Sequence, residues 1–135
     1  MQDCARCSQV QVEPPVVAYD LAYYDRTLRQ NSADAEAISR VRWEFVRPVL
    51  ARVARPAVLD YGAGVGWFRA WMPAGVMAVD TVDVGPAPQT GIRRAVYDLV
   101  TFWDVLEHLP DLAVISPVLR AARAVAVTVP IRPEG

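Results

Sequence analysis

The chain has 135 residues, 53% of them hydrophobic, which is sufficient for one compact domain with a buried core. Its formal net charge is −1, and all 14 basic side chains are scattered arginines, so nothing indicates nucleic acid or an anionic membrane as a partner. No segment approaches the roughly 20 uninterrupted apolar residues that span a bilayer, and the amino terminus lacks a signal-peptide core, so we expect a cytoplasmic protein without a membrane partner.

Residues 1 to 17 are predicted to form an extended amino-terminal lead-in, because a pair of prolines near its end disfavours a helix. Cys4 and Cys7 in this segment form a C-x-x-C pair. A structural zinc site needs four ligands, and only His108 remains to join the two cysteines. We therefore predict no metal, and half of a zinc site completed by a second chain stays as the alternative.

Residues 18 to 56 are predicted to form a helical segment. A short helix with a tyrosine-rich face comes first, and a longer helix begins near Ser32, where acidic residues favour the positive end of the helix. Pro48 is predicted to kink this second helix or to end it early. The apolar residues of the second helix recur at helical spacing: Ile38, Val41, Phe45 and Val49.

An apolar run then ends at Asp60 and opens into three glycines at every second position, Gly62, Gly64 and Gly66. This pattern predicts a strand followed by a ligand-binding turn, because glycine allows a positive φ and lets a ligand lie on backbone N–H groups. The dinucleotide fingerprint G-x-G-x-x-G would need a further glycine where Trp67 stands, which argues against NAD and FAD. A purely structural bend is the alternative interpretation.

The next alternating run, from 77 to 82, predicts a second strand and is followed directly by Asp83. In Rossmann-like folds an acidic side chain at this point, about 20 residues after the glycines, accepts hydrogen bonds from ribose hydroxyls. Asp83 is the preferred candidate for that role, and Asp80 is the alternative if the strand ends earlier.

The segment from 97 to 111 reads Y-D-L-V-T-F-W-D-V-L-E-H-L-P-D and predicts a buried strand followed by a loop. Ligands of open parallel sheets bind beyond the carboxyl ends of the strands, where the strand order reverses. Trp103, Asp104 and Val105 are therefore expected beside the glycines, although Trp103 is equally interpreted as a core aromatic residue. His108, the only histidine, is a candidate general base or a structural support of the loop.

Together, these three segments resemble the motifs of the class I S-adenosylmethionine-dependent methyltransferases, in the same order and at similar spacing. The resemblance covers residues 57 to 130 well and residues 19 to 50 loosely. It implies transfer of a methyl group from S-adenosyl-L-methionine to a small-molecule acceptor. The implied cofactor contacts are Asp60, which orients the turn and reaches towards the methionine amine, the three glycines, Asp83, and Trp103, Asp104 and Val105.

The helical segment resembles the lid that precedes the first strand in such enzymes. Tyr23 and its neighbouring tyrosines are then candidate walls of the cofactor pocket, with ordinary packing as the alternative. Arg42 or Arg47 is a candidate partner of the cofactor carboxylate, with a solvated side chain as the alternative for each.

Two other functions stay open from the sequence. The first is a catalytically silent cofactor-binding or interaction domain. The second is a nucleic-acid or protein methyltransferase, which would need a basic groove or an Asn/Asp-Pro-Pro-aromatic motif where this chain has D-V-L-E.

The predicted fold class is α/β, with a Rossmann-like, open and mostly parallel sheet and helices on both faces. Four core strands are expected, beginning near Val58, Met77, Leu99 and Val125, within a core of residues 57 to 135. The last of them, from 124 to 129, is predicted to be buried. The sheet is expected to be shortened, without the carboxy-terminal hairpin of the family, and its exposed edge offers a route to a homodimer.

Overall fold

The computed structural model describes residues 2–3, 10–11, 26, 32–73, 78–82, 92–109 and 111–130. The strands are β1 (Gln2–Asp3), β2 (Val10–Gln11), β3 (Ala57–Tyr61), β4 (Ala78–Val82), β5 (Leu99–Trp103) and β6 (Val125–Thr128). The α-helices are α1 (Ser32–Leu50), α2 (Trp67–Ala70) and α3 (Ser116–Arg120), and two 3-10 helices span Leu106–His108 and Leu112–Ile115. Among the described residues, none of the helices combines the length and the apolar character needed to cross a bilayer.

Four parallel strands form the main sheet in the order β4-β3-β5-β6, while β1 and β2 pair with each other in antiparallel fashion. The chain passes from β3 outward to β4 and then crosses to β5 on the other side of β3. The strand order therefore reverses between β3 and β5, which is where ligands bind in folds of this kind. The predicted α/β class with an open parallel sheet is confirmed, and each of the four strands begins within one residue of its expected start.

Helices cover both faces of the main sheet, as predicted. Side chains alternate between the faces along each strand. On one face α1 and α2 contribute to a core cluster formed by Val46, Leu50, Val58, Phe68, Leu99, Trp103 and Ala126. On the other face α3 and the second 3-10 helix contribute to a cluster formed by Leu59, Tyr97, Val100, Phe102, Val105, Ile115 and Val118.

Helix α1 begins at Ser32, which confirms the predicted start, but it continues two residues past Pro48. A proline inside a helix removes one backbone hydrogen bond and crowds the preceding turn. Leu50 nevertheless lies in the core at 4% exposure, and its burial offsets part of that cost. Pro48 therefore does not end the helix, and the alternative, a kink at Pro48, stays a prediction.

Strand β6 is buried on one side only, which corrects the prediction of a buried strand. Ala126 lies in the core, whereas Val125, Val127 and Val129 are 44%, 40% and 50% exposed. Strand β6 pairs with β5 and forms an edge of the main sheet within the described part of the chain. The outward side chains of an edge strand stay exposed when no described element packs over them.

The amino end of β5 is held by Tyr97 and Asp98. The fully buried Tyr97 hydroxyl accepts hydrogen bonds from the backbone N–H groups of Arg93 and Arg94. Asp98 Oδ2 accepts one from the backbone N–H of Ala57 at 2.9 Å. These two residues of the 97 to 111 motif therefore stabilise the end of the sheet opposite to the candidate site.

Candidate functional site

The carboxyl ends of β3 and β5 bring two predicted segments together. Strand β3 ends at Tyr61 and leads into the glycine turn, which we define as residues 62 to 66, and β5 ends at Trp103. Register pairs Tyr61 with Phe102, so Asp104 and Val105 follow at the same edge of the sheet as the glycine turn. This neighbourhood confirms the expectation that the segment after β5 emerges beside the glycines.

All three glycines of the turn have left-handed backbone conformations, with φ of 75° at Gly62, 55° at Gly64 and 80° at Gly66. The turn is closed by a hydrogen bond from the Gly66 N–H to the Ala63 carbonyl at 2.9 Å. Side chains at such φ values are strained, so the pattern of glycines follows directly from the path of the backbone.

Gly62 also has no room for a side chain. A Cβ atom at this position would lie 2.3 Å from Val105 Cγ2, whereas at Gly66 nothing would lie within 4 Å. The first glycine is thus required by close packing against the segment after β5, and the last one by its backbone conformation alone. The glycine turn and the segment after β5 therefore pack directly against each other at this edge of the sheet.

A buried carboxylate lies one residue before the end of β3. Asp60 is 2% exposed, and its Oδ1 accepts a hydrogen bond from the hydroxyl of fully buried Thr101 at 2.8 Å. Alternation along the strands places both residues on the α1 side of the sheet. Thr101 was not predicted as part of the site, although a single hydroxyl within an otherwise apolar strand is the signal that identifies it.

Arg42 from α1 reaches across to Asp104. Its Nη2 lies 2.6 Å from Asp104 Oδ2, and its guanidinium lies 5.1 Å from the centroid of the Trp103 ring. Burial lowers the pKa of Arg42, and the carboxylates of Asp104 and Asp60 counteract only part of that change. Arg42 is therefore neither simply solvated nor free for a cofactor carboxylate in this structure, because it forms an ion pair with Asp104.

Asp104 adopts a backbone conformation that is unusual for a residue with a side chain, with φ of 56°. Its Oδ1 accepts a hydrogen bond from the Thr128 hydroxyl at 2.9 Å, and its backbone N–H donates to the Thr128 carbonyl at 3.2 Å. Aspartate is among the few residues that adopt this conformation without large strain. Strand β6 and helix α1 thus hold Asp104 from two sides.

Trp103 lies within the core at 7% exposure and packs edge-on against Phe68, with ring centroids 5.2 Å apart. Its indole nitrogen Nε1 and the Oε2 atom of Glu107 are buried without a hydrogen-bond partner among the described residues. Orphan polar atoms are rare in folded proteins and are often paired with a ligand or with water. Trp103 is the last residue of β5 and Glu107 lies in the 3-10 helix that follows, which is compatible with a polar ligand at this edge of the sheet.

His108 lies in the 3-10 helix directly after Val105, and its backbone N–H donates to the Val105 carbonyl at 3.0 Å. It is half-buried near the site, and its role as a general base stays a prediction.

Asp83 and Tyr23 lie outside the described residues. Strand β4 ends at Val82, so Asp83 follows its last residue directly, whereas Asp80 lies within the strand and pairs with Leu59.

Comparison with known proteins gives one family. The family model described as a methyltransferase domain matches residues 34 to 126, more than half of the chain. No curated protein and no solved structure matched. The matched region begins within α1 and includes the glycine turn, Asp104 and nearly all of the main sheet. The chain therefore belongs to the class I S-adenosylmethionine-dependent methyltransferase family.

Proposed function

We propose that this chain binds S-adenosyl-L-methionine at the edge formed by the glycine turn and transfers its methyl group to a small-molecule acceptor. The observation that carries the proposal is the packing of Gly62 against Val105 at the point where the strand order reverses. Three left-handed glycines there leave backbone N–H groups uncovered by side chains, which suits a ligand that lies directly on the main chain.

The proposal assigns roles to three further residues. Asp60, which accepts a hydrogen bond from Thr101 and lies two residues before Gly62, is proposed to orient the glycine turn. Asp83 is proposed to accept hydrogen bonds from the ribose hydroxyls, and Tyr23 is proposed to cover the pocket, as the resemblance implies. When bound, the cofactor supplies a methyl group that its sulfonium already activates.

The protein has little acid–base chemistry to perform in this reaction. Its contribution is to align the acceptor with the methyl group and to exclude water. A proton must be removed only when the attacking atom carries one. We propose that His108 takes this proton, because it is half-buried and lies three residues after Val105.

A small-molecule acceptor is favoured over a macromolecule. The net charge is −1 and the 14 arginines are scattered along the sequence, which does not favour nucleic acid as the acceptor. The segment after β5 is D-V-L-E instead of an Asn/Asp-Pro-Pro-aromatic motif. The acceptor class is proposed to be hydroxylated or aminated metabolites.

Calorimetric titration of the chain with S-adenosylmethionine and S-adenosylhomocysteine tests the cofactor. Asp83→Ala should weaken binding about tenfold or more, because hydrogen bonds to the ribose would be lost. Glu36→Ala, which removes an exposed carboxylate from α1, is the matched control and should leave affinity unchanged. No binding by the parent chain would refute the proposal.

Methyl transfer is tested separately by incubating the cofactor-loaded chain with panels of hydroxylated and aminated metabolites. Turnover with one of them is expected, and His108→Ala should then lower kcat far more than it lowers cofactor affinity. Equal losses in kcat and in cofactor affinity would show that His108 is not the general base. Cofactor binding without transfer to any acceptor would favour a catalytically silent binding domain.

A further inference from the structure

Helix α1 carries an exposed apolar stripe on the side that faces away from the core. Ile38, Val41, Phe45 and Val49 are 49%, 71%, 67% and 51% exposed. Their spacing of three, four and four residues places them on one face of the helix. The core-facing residues of the same helix are instead Ala35, Ser39, Val46 and Leu50. An exposed apolar row of this length on a charged helix is typical of an interaction surface.

The two ends of the apolar stripe carry opposite charges. Asp34 lies four residues before Ile38, and Arg52 lies in the turn that follows the helix, seven residues after Phe45. Both are exposed, and neither forms an ion pair within the described part of the chain.

The other charged residues of α1 are already paired. Glu36 pairs with Arg40 at 2.7 Å, Glu44 pairs with Arg47 at 2.8 Å, and Arg42 pairs with Asp104. Among the charged side chains that the structure describes along the stripe, Asp34 and Arg52 are therefore the two that remain available to a partner.

The apolar stripe and the charges at its two ends are complementary to the same surface on a second copy of the chain. When two α1 helices lie antiparallel with Val41 opposite Phe45, the same register places Ile38 opposite Pro48 and Val49, and Asp34 opposite Arg52. A twofold axis creates each of these contacts twice, as in isologous dimers. The antiparallel orientation also aligns the helix dipoles favourably.

We propose that the apolar stripe of α1 is the interface of a homodimer, in which a second copy of this chain packs antiparallel against it. The ion pairs between Asp34 and Arg52 set the register, and the four apolar residues supply most of the stability. The glycine turn and Asp104 take no part in this interface.

Sedimentation equilibrium over about a hundredfold range of concentrations tests the proposal. The parent chain should form a reversible dimer. Phe45→Glu, which places a charge at the centre of the exposed stripe, should weaken association about a hundredfold or more. Because Phe45 is exposed, this variant should keep its circular dichroism spectrum.

Charge reversal gives a sharper test of the register. Asp34→Arg and Arg52→Asp should each weaken self-association about tenfold, because each places like charges opposite one another. An equimolar mixture of the two variants should associate as strongly as the parent chain, because the mixed dimer contains two opposite-charge pairs. The control E36R/R40E reverses a charge pair outside the stripe and should leave association unchanged.

Three outcomes would overturn the proposal. The first is a parent chain that stays monomeric at all concentrations. The second is a Phe45→Glu variant that dimerises as strongly as the parent chain, and the third is a mixture of the two charge variants that does not recover association. A monomer whose thermal stability falls in Phe45→Glu would show that another part of the same chain covers the stripe.

Discussion

At the scale of single residues, one buried hydrogen bond links β3 and β5 where they lead to the candidate site. Thr101 donates to Asp60 at 2.8 Å, and both side chains are almost fully inaccessible to solvent. A buried carboxylate needs donors, because the interior cannot replace the water that it loses. The Thr101 hydroxyl is therefore expected to stabilise both the sheet and the base of the glycine turn.

Thr101→Val should lower the free energy of unfolding by about 1 to 3 kcal/mol, because Asp60 loses a donor while the buried shape is kept. Urea denaturation of Thr101→Val, Asp60→Ala and the double variant forms the double-mutant cycle. In the Asp60→Ala background, Thr101→Val should lower the free energy of unfolding only slightly. An equal cost in both backgrounds would show that Thr101 acts independently of Asp60.

The ion pair of Arg42 with Asp104 should contribute less to the free energy of unfolding than the hydrogen bond between Thr101 and Asp60. The two side chains keep 22% and 49% of their exposure, so solvent screens the attraction. A double-mutant cycle with Arg42→Met and Asp104→Asn should give a coupling of about 0.5 to 1 kcal/mol in the free energy of unfolding. The coupling should shrink in about 1 M salt, and a coupling unaffected by salt would contradict this account.

At the scale of elements, the sequence and the structure agree best on the strands and the glycine turn. The run ending at Asp60 and the spacing of the three glycines were sufficient to predict β3 and a turn after it, because glycine allows backbone conformations that other residues rarely adopt. The exposure of one side of β6 was not predictable in this way. An apolar strand has the same local pattern whether or not another element covers it.

Gly62→Ala should destabilise the protein more than Gly66→Ala. The first substitution adds a clash at 2.3 Å with Val105 to an unfavourable φ, whereas the second adds only the backbone cost of about 1 kcal/mol. Thermal denaturation of both variants measures the difference. Gly62→Ala combined with Val105→Ala should recover part of the loss, and no recovery would mean that the clash is not the cause.

At the scale of the whole molecule, helix α1 and the main sheet share one core cluster. Helix α1 also contacts the site through Arg42, so ligand binding at the glycine turn and global unfolding are expected to be linked. Ligands that bind only the folded state raise its stability in proportion to the logarithm of their concentration.

S-adenosylhomocysteine at about 100 times its Kd should therefore stabilise the folded chain by about 2.7 kcal/mol. The measurement is the rise in Tm with ligand concentration. Asp83→Ala should need more ligand for the same rise, while Glu36→Ala should match the parent chain. A Tm that does not respond to this ligand would count against the proposed cofactor.

The sequence by itself determined the fold class, the starts of the four parallel strands and the glycine turn. These features depend on periodicity and on the conformations that single residues allow, which neighbouring residues along the chain encode. The family followed from the order and spacing of three such segments.

Only the tertiary structure decided which side chains meet. Thr101 and Asp60 are 41 residues apart and Arg42 and Asp104 are 62 apart, so their contacts arise from strand register and from the packing of α1. No local pattern specifies such pairs, because they require distant segments to be aligned to within the length of one hydrogen bond.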